Sequence, residues 1–99
     1  MQLDLECVAS LVVLVEEGSY RRAGQRLHVS VSALSRRIQR LEHQVGDQLV
    51  DRGPDGFVGP TAAGRRFETK ARALLAAGEA ARAAARDGWL DRYVPDPTA

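Results

Sequence analysis

Only one cysteine, Cys7, stands among the 99 residues, so no internal disulfide forms within the chain and no thiolate metal cluster is offered. Its place on the apolar side of an expected helix marks it as a small core residue. Aromatic residues make up just 5% of the chain, yet the 44% hydrophobic content is enough for one compact core. A core of this size is small, and a partner subunit would add usefully to its stability. The N-terminus has no early basic cluster. Asp4 and Glu6 stand there instead, which does not read as a secretory signal. The longest apolar stretch, Val8 to Val15, is far shorter than the ~20 residues a membrane span needs. A soluble, cytoplasmic protein with no membrane partner is expected. Histidine is scarce too: His28 and His43 lie fifteen positions apart, one at a turn and the other on an exposed helix face. With no nucleophile–base pair, no metal-ligand spacing and no phosphate loop, neither an enzyme, a metal site nor a cofactor is expected.

What the chain does hold is an uneven distribution of charge beneath a net of +1. Residues 1–18 carry four acids and no Lys or Arg, for −4, whereas residues 19–53 carry seven arginines against three acids, for +4. Residues 54–99 are close to balanced at +1. A basic middle third between acidic and neutral flanks suggests one face suited to a polyanion.

Apolar spacing divides the chain into elements. Leu5, Val8, Leu11, Val12 and Val15 recur at helical intervals, so residues 4–17 read as an amphipathic helix ended by Gly18. Ser19 is a suitable N-cap for a short second helix from Tyr20 to Leu27, with Ala23 and Leu27 facing inward. The segment "LHVS" turns the chain, and Ser30 caps a third helix whose Leu34, Ile38, Leu41 and Val45 form one buried stripe. Gly46 is placed to stop it in the left-handed conformation. "DQLVDR" and "FVGP" flank the turn-forming "GPDG" and predict a two-stranded hairpin. Thr61 caps a last helix running to about Asp87 and ending at Gly88, and the tail with Pro95 and Pro97 reads as disordered. Three helices, a hairpin and a long fourth helix make a mainly α fold of the winged helix-turn-helix type. The expected divisions are residues 1–60 for the head, 61–88 for the long linker or dimerisation helix and 89–99 for the tail.

With its stripe facing inward, the third helix presents Val31, Ser32, Ser35, Arg36, Gln39, Arg40 and His43. The major groove of DNA admits one α-helix and needs short side chains near the helix start so that the backbone can approach. Serine meets that demand while donating to phosphates or base edges, and the helix N-terminus favours a phosphate. Arginine adds the longer reach, bidentate to guanine or to phosphate oxygens. Small hydroxyls first and arginines one turn later is what groove insertion asks for.

The run "EEGSYRRAGQRLHVSVSALSRRIQRLEHQVGDQLVDR" resembles the N-terminal DNA-binding domain of LysR-type transcriptional regulators. Gly18, Ser19, Ala23, Leu27, Ser30, Ala33, Leu34, Ser35, Ile38, Leu41, Glu42, Gly46, Leu49 and Arg52 match that family's pattern, and "TAAG" from Thr61 follows at the right distance. The resemblance implies sequence-specific binding of double-stranded DNA, with Ser30 and Ser35 at the groove and Arg36 beside them. It implies that Arg52 reaches phosphate or the neighbouring minor groove and that Arg22 contacts a backbone phosphate. Arg37 and Arg40 follow as phosphate contacts rather than base contacts. Where the family usually has Gln-Pro after the capping serine, this chain has Val31 and Ser32. Glutamine reads adenine bidentately, whereas valine offers only apolar contact, for instance to a thymine methyl, which bears on base preference at that step. The wing's usual aromatic is replaced by Val50, so a less firmly packed hairpin is expected.

Phe67, Ala71, Leu74, Gly78, Ala81 and Ala85 are spaced four, three, four, three, four, which is a heptad seam. The resemblance implies a linker helix pairing two subunits as a homodimer. The seam fades into Ala and Gly and buries little area, so that dimer is expected to be weak; Trp89 and Leu90 stand where they could cap it. Family members continue into a larger effector-sensing domain, so no small-molecule effector site is expected within these residues. A second reading is an interaction module that heterodimerises with a related regulator. A pure docking module has no need of exposed Ser35, Arg36 and Arg52 together.

Overall fold

The computed structural model describes residues 2–54 and 56–91, with the backbone alone for Val58 and residues 88–91. In chain order, the elements are α1 (Leu5–Glu17), α2 (Tyr20–Leu27), α3 (Val31–Val45), β1 (Val50–Gly53), β2 (Gly56–Pro60) and α4 (Ala62–Asp91). This is the expected winged helix-turn-helix followed by a long helix.

Each boundary has a local cause. Asp4 caps α1 through its carboxylate, which accepts from Glu6 N–H at 3.0 Å, and Gly18 ends the helix at φ 68°. Ser19 Oγ accepts from Arg22 N–H at 3.2 Å to start α2. The turn into α3 is unusually tight. His28 takes the left-handed conformation at φ 58°, and a Cβ on Gly24 would stand 2.8 Å from Val29 O, so only glycine lets the turn close over α2. Ser30 Oγ then accepts from Ala33 N–H at 3.0 Å, and Gly46 ends α3 at φ 83°.

The core is organised around α1, which packs against α2, α3 and α4. Cys7, Val8, Ser10, Leu11, Val12, Val13 and Leu14 are all buried, so the helix is covered on most of its circumference rather than along one stripe. Cys7 is a core residue, and burial pushes its thiol pKa up, with Asp4 adding to the effect. Leu5, expected on the apolar stripe, is 48% exposed. It opens the helix at the edge of the head, where Leu3 rather than Leu5 packs against the core. Leu34, Ile38 and Leu41 of α3 are fully buried, as the spacing predicts, and Val45 partly so.

β1 and β2 pair antiparallel, Val50 opposite Pro60 and Arg52 opposite Phe57, with a bulge between Asp51 and Arg52. Val50, which stands where the family usually has an aromatic, is buried in the head. α4 does not stop at Gly88: it continues to Asp91, 30 residues or ~45 Å. An interior glycine weakens a helix by only about 1 kcal/mol relative to alanine, and the preceding alanine-rich turns favour continuation. The expected tail, residues 89–99, is therefore helical over its first three residues; from residue 92 onward it lies outside the described residues, as do the side chains of Trp89 and Leu90.

Candidate nucleic-acid interface

The outer face of α3 is built as its periodicity requires. Ser32, Arg36, Gln39, Arg40 and His43 are exposed, Ser35 is half-buried, and Val31 is 48% exposed at the first turn. Ser30 is exposed beside them, and its hydroxyl oxygen is engaged in the cap while its proton remains able to donate. Arg36 has no ion-pair partner among the described residues, and neither has Arg22 on α2.

A cleft of about 490 Å³ opens between the starts of α2 and α3 and the wing. Ser19, Tyr20, Arg21, Val31, Ser35, Arg52 and Phe57 line it. Two aromatic residues with no assigned role in the sequence reading hold its wall together: Tyr20 and Phe57 meet edge to face, with ring centroids 6.1 Å apart and planes at 88°. The Arg52 guanidinium lies 6.0 Å from the Tyr20 ring centroid and 4.0 Å from the Glu42 carboxylate. Arg52 thus stands at the mouth of the cleft, tethered at its rear.

Glu42 is the other residue whose role escaped the sequence reading. Its Oε2 accepts from Leu49 N–H at 2.7 Å and from Val50 N–H at 3.3 Å, which satisfies two buried donors at the root of the wing. From the opposite side, Thr61 Oγ1 donates to Gln48 O at 2.7 Å and accepts from Gly64 N–H at 2.9 Å. Thr61 N–H donates to Leu49 O at 3.0 Å. The wing is therefore fixed at its base by α3 and α4 together, and Arg52 inherits that rigidity.

Two expected contacts are placed differently from Arg36. Arg37 turns toward α1, where its guanidinium pairs with Glu6 and donates to Ser10 Oγ at 3.3 Å. Arg40 stands 3.5 Å from Asp4 but keeps 65% of its side chain in solvent. Behind the interface, Glu16 of α1 takes Arg26 of α2 at 2.7 Å and Arg72 of α4 at 3.1 Å. The hydrogen bond from Arg26 holds the Glu16 carboxyl below its ordinary pKa.

The heptad positions of α4 divide. Phe67 and Ala71 pack against the head of their own chain, Ala71 being 2% exposed. Leu74 is 39% exposed, Gly78 half-buried, and Ala81 and Ala85 exposed. No group of His, Cys, Asp or Glu suited to a metal occurs among the described residues, and no described helix is long and apolar enough to cross a membrane.

Residues 5–65 match the profile of the bacterial regulatory helix-turn-helix proteins of the lysR family. The chain belongs to the LysR family. Among LysR-family relatives, the SDS degradation transcriptional activation protein of a Pseudomonas species is 43% identical over 81 residues, 82% of this chain and 26% of that protein. The HTH-type transcriptional regulator LysG of Mycobacterium tuberculosis is 53% identical over 51 residues, 52% of this chain and 17% of LysG. The chain therefore spans about a quarter or less of the length of these regulators. In structure, it resembles Vibrio fischeri DarR, solved in complex with DNA, at a TM-score of 0.84 and 30% identity, over 91% of this chain and 30% of DarR. It also resembles the BenM_DBD/catB site 1 DNA complex at 0.79 and 31%, over 87% of this chain and 94% of that one. The family match over residues 5–65 takes in α1, α2, α3 and the wing.

Proposed function

We propose that this chain is the sequence-reading head of a LysR-type transcriptional regulator, binding double-stranded DNA with α3 in the major groove. The observation that carries the reading is the juxtaposition of Val31 and Ser35 of α3 with the tethered Arg52 across one cleft, with Arg36, exposed and without an ion-pair partner among the described residues, next to Ser35 on the same helix. DarR and the BenM domain, solved with DNA, share this fold and support it. Ser30, Val31, Ser32 and Ser35 approach the base edges at the helix start, and Arg36 reaches a base or its phosphate one turn later. Arg52 engages phosphate or the minor groove from the wing, and Arg22 and Arg40 take backbone phosphates on either flank. The exposed stretch of α4 from Leu74 through Ala85 pairs two chains, so that two heads address one partly palindromic site.

Fluorescence anisotropy with a labelled duplex at several salt concentrations tests this. Two to four phosphates neutralised per head, or four to eight per dimer, predict a slope of log affinity against log salt between about −4 and about −7, from about −0.9 per phosphate neutralised. Salt-insensitive binding, or none at low salt, refutes the proposal.

A further inference from the structure

Arg36 and Arg37 are adjacent in sequence and both line a shallow surface cavity with Ala33 and Arg40, but of the two only Arg37 is paired among the described residues. Successive helical residues are separated by about 100°, so when Arg36 points away from the Leu34–Ile38–Leu41 stripe, Arg37 lies along the flank facing α1. There it meets the one buried polar side chain found among the described residues, Ser10, which is fully inaccessible. Ser10 donates its hydroxyl proton to Glu6 O at 2.8 Å, leaving its oxygen to accept from Arg37 at 3.3 Å. A second guanidinium nitrogen pairs with the Glu6 carboxylate. Farther along the same seam, Gln44 Oε1 accepts from Asp4 N–H at 3.1 Å, and Arg40 faces Asp4. The acidic start of α1 is thus joined to α3 at three successive turns.

The two arginines on this seam differ in their freedom. Arg40 holds one partner at 3.5 Å and is 65% exposed, so a phosphate can draw it away at little cost. Arg37 is only 25% exposed, and moving it would strip Ser10 of the partner that satisfies its buried oxygen. We infer that Arg37 is a positioning residue: through Glu6 and Ser10 it sets the angle at which the reading helix leaves the head, and it contributes no contact to DNA. This rests on the DNA-reading proposal, and it would explain how a chain whose first eighteen residues are purely acidic presents a basic helix. The acids of α1 neutralise the inner flank of α3 and leave the outer flank to the ligand.

The test compares a duplex selected from a random pool by the unmodified chain with a scrambled duplex of the same composition. Arg37→Ala should lower affinity for the selected duplex about tenfold and leave the scrambled duplex and the salt slope nearly unchanged. Glu6→Gln should act in the same direction, and the double variant should be little worse than either, with a coupling of about tenfold for residues in direct contact. The charge swap, Glu6→Arg with Arg37→Glu, restores the ion pair but not the donor to Ser10 Oγ, so it should bind the selected duplex more tightly than Arg37→Glu alone, and that comparison decides the matter even if Arg37→Ala proves too unstable to assay. An equal loss on both duplexes with the slope reduced by about 1 per head, or about 2 for a bound dimer, would make Arg37 a phosphate contact and overturn the inference. So would tighter binding by Glu6→Gln or a charge swap that binds no better than Arg37→Glu alone. If the unmodified chain selects no duplex at all, the DNA-reading proposal falls first and the inference with it.

Discussion

Replacing Gly64 by alanine is the most demanding test of how the wing is mounted. A Cβ at this position would lie 2.0 Å from Leu49 O and 2.9 Å from Leu49 C. Ordinary contacts begin near 3.4 Å, so the overlap is about 1.4 Å and is entirely with backbone. No rotamer change can relieve it. Leu49 cannot yield either: its side chain is fully buried, its N–H is held by Glu42 and its carbonyl by Thr61. The first turn of α4 must therefore lift away from the wing, losing the Thr61 bonds or displacing β1. Overpacking in a well-filled site costs about 1–3 kcal/mol, and a backbone-on-backbone clash belongs at or above the upper end, about 3 kcal/mol. A domain of this size has about 5–13 kcal/mol in all. With a urea dependence of about 1.5 kcal/mol per molar, the midpoint should fall by about 2 M, followed by far-UV circular dichroism. Gly78→Ala is the control. Nothing lies within 4 Å of its Cβ position, so the variant should gain about 0.5–1 kcal/mol from helix propensity alone. A Gly64→Ala midpoint within about 0.3 M of the parent, several-fold smaller than the shift of about 2 M expected, would refute the close approach.

Four further outcomes are expected. Glu42→Ala should destabilise the chain by about 2–3 kcal/mol in the same urea assay, because it orphans two buried N–H groups; Glu42→Gln, which keeps an acceptor, should cost less. Arg36→Ala should weaken a selected duplex more than random DNA by about 1–3 kcal/mol if the guanidinium meets a base edge. Replacing thymine by deoxyuracil at single positions of the selected duplex should reveal one methyl-sensitive step per half-site that is weakened in Val31→Ala and lost in Val31→Gly, since an exposed valine at the helix start can read only apolar surface. The lowered pKa of Glu16 stabilises the fold above its ordinary value of about 4.5, and that contribution is lost as pH falls through the lower folded value. Thermal melts of Glu16→Gln should accordingly lie below the parent at pH 7 and converge with it in acid.

Much of the fold was legible in the sequence because it is decided over short spans. The stripe through Leu34, Ile38 and Leu41, the caps at Ser19, Ser30 and Thr61, and the left-handed stops at Gly18 and Gly46 each depend on neighbours within about one or two helical turns. The exposed positions of Val31, Ser32, Arg36 and Arg40 follow from the same periodicity, and so does the basic face. Tertiary structure alone decided what joins residues far apart in the chain: Arg37 with Ser10, Glu42 with the wing root, Tyr20 with Phe57 and Gly64 with Leu49. Composition shows an arginine or a glutamate without showing which neighbour it meets. Nor does the period of α1 reveal that three helices close around it and bury most of its circumference. The reading face is therefore set by helical geometry, whereas its angle and the rigidity of its wing arise from packing and hydrogen bonds that exist only once the chain has closed on itself.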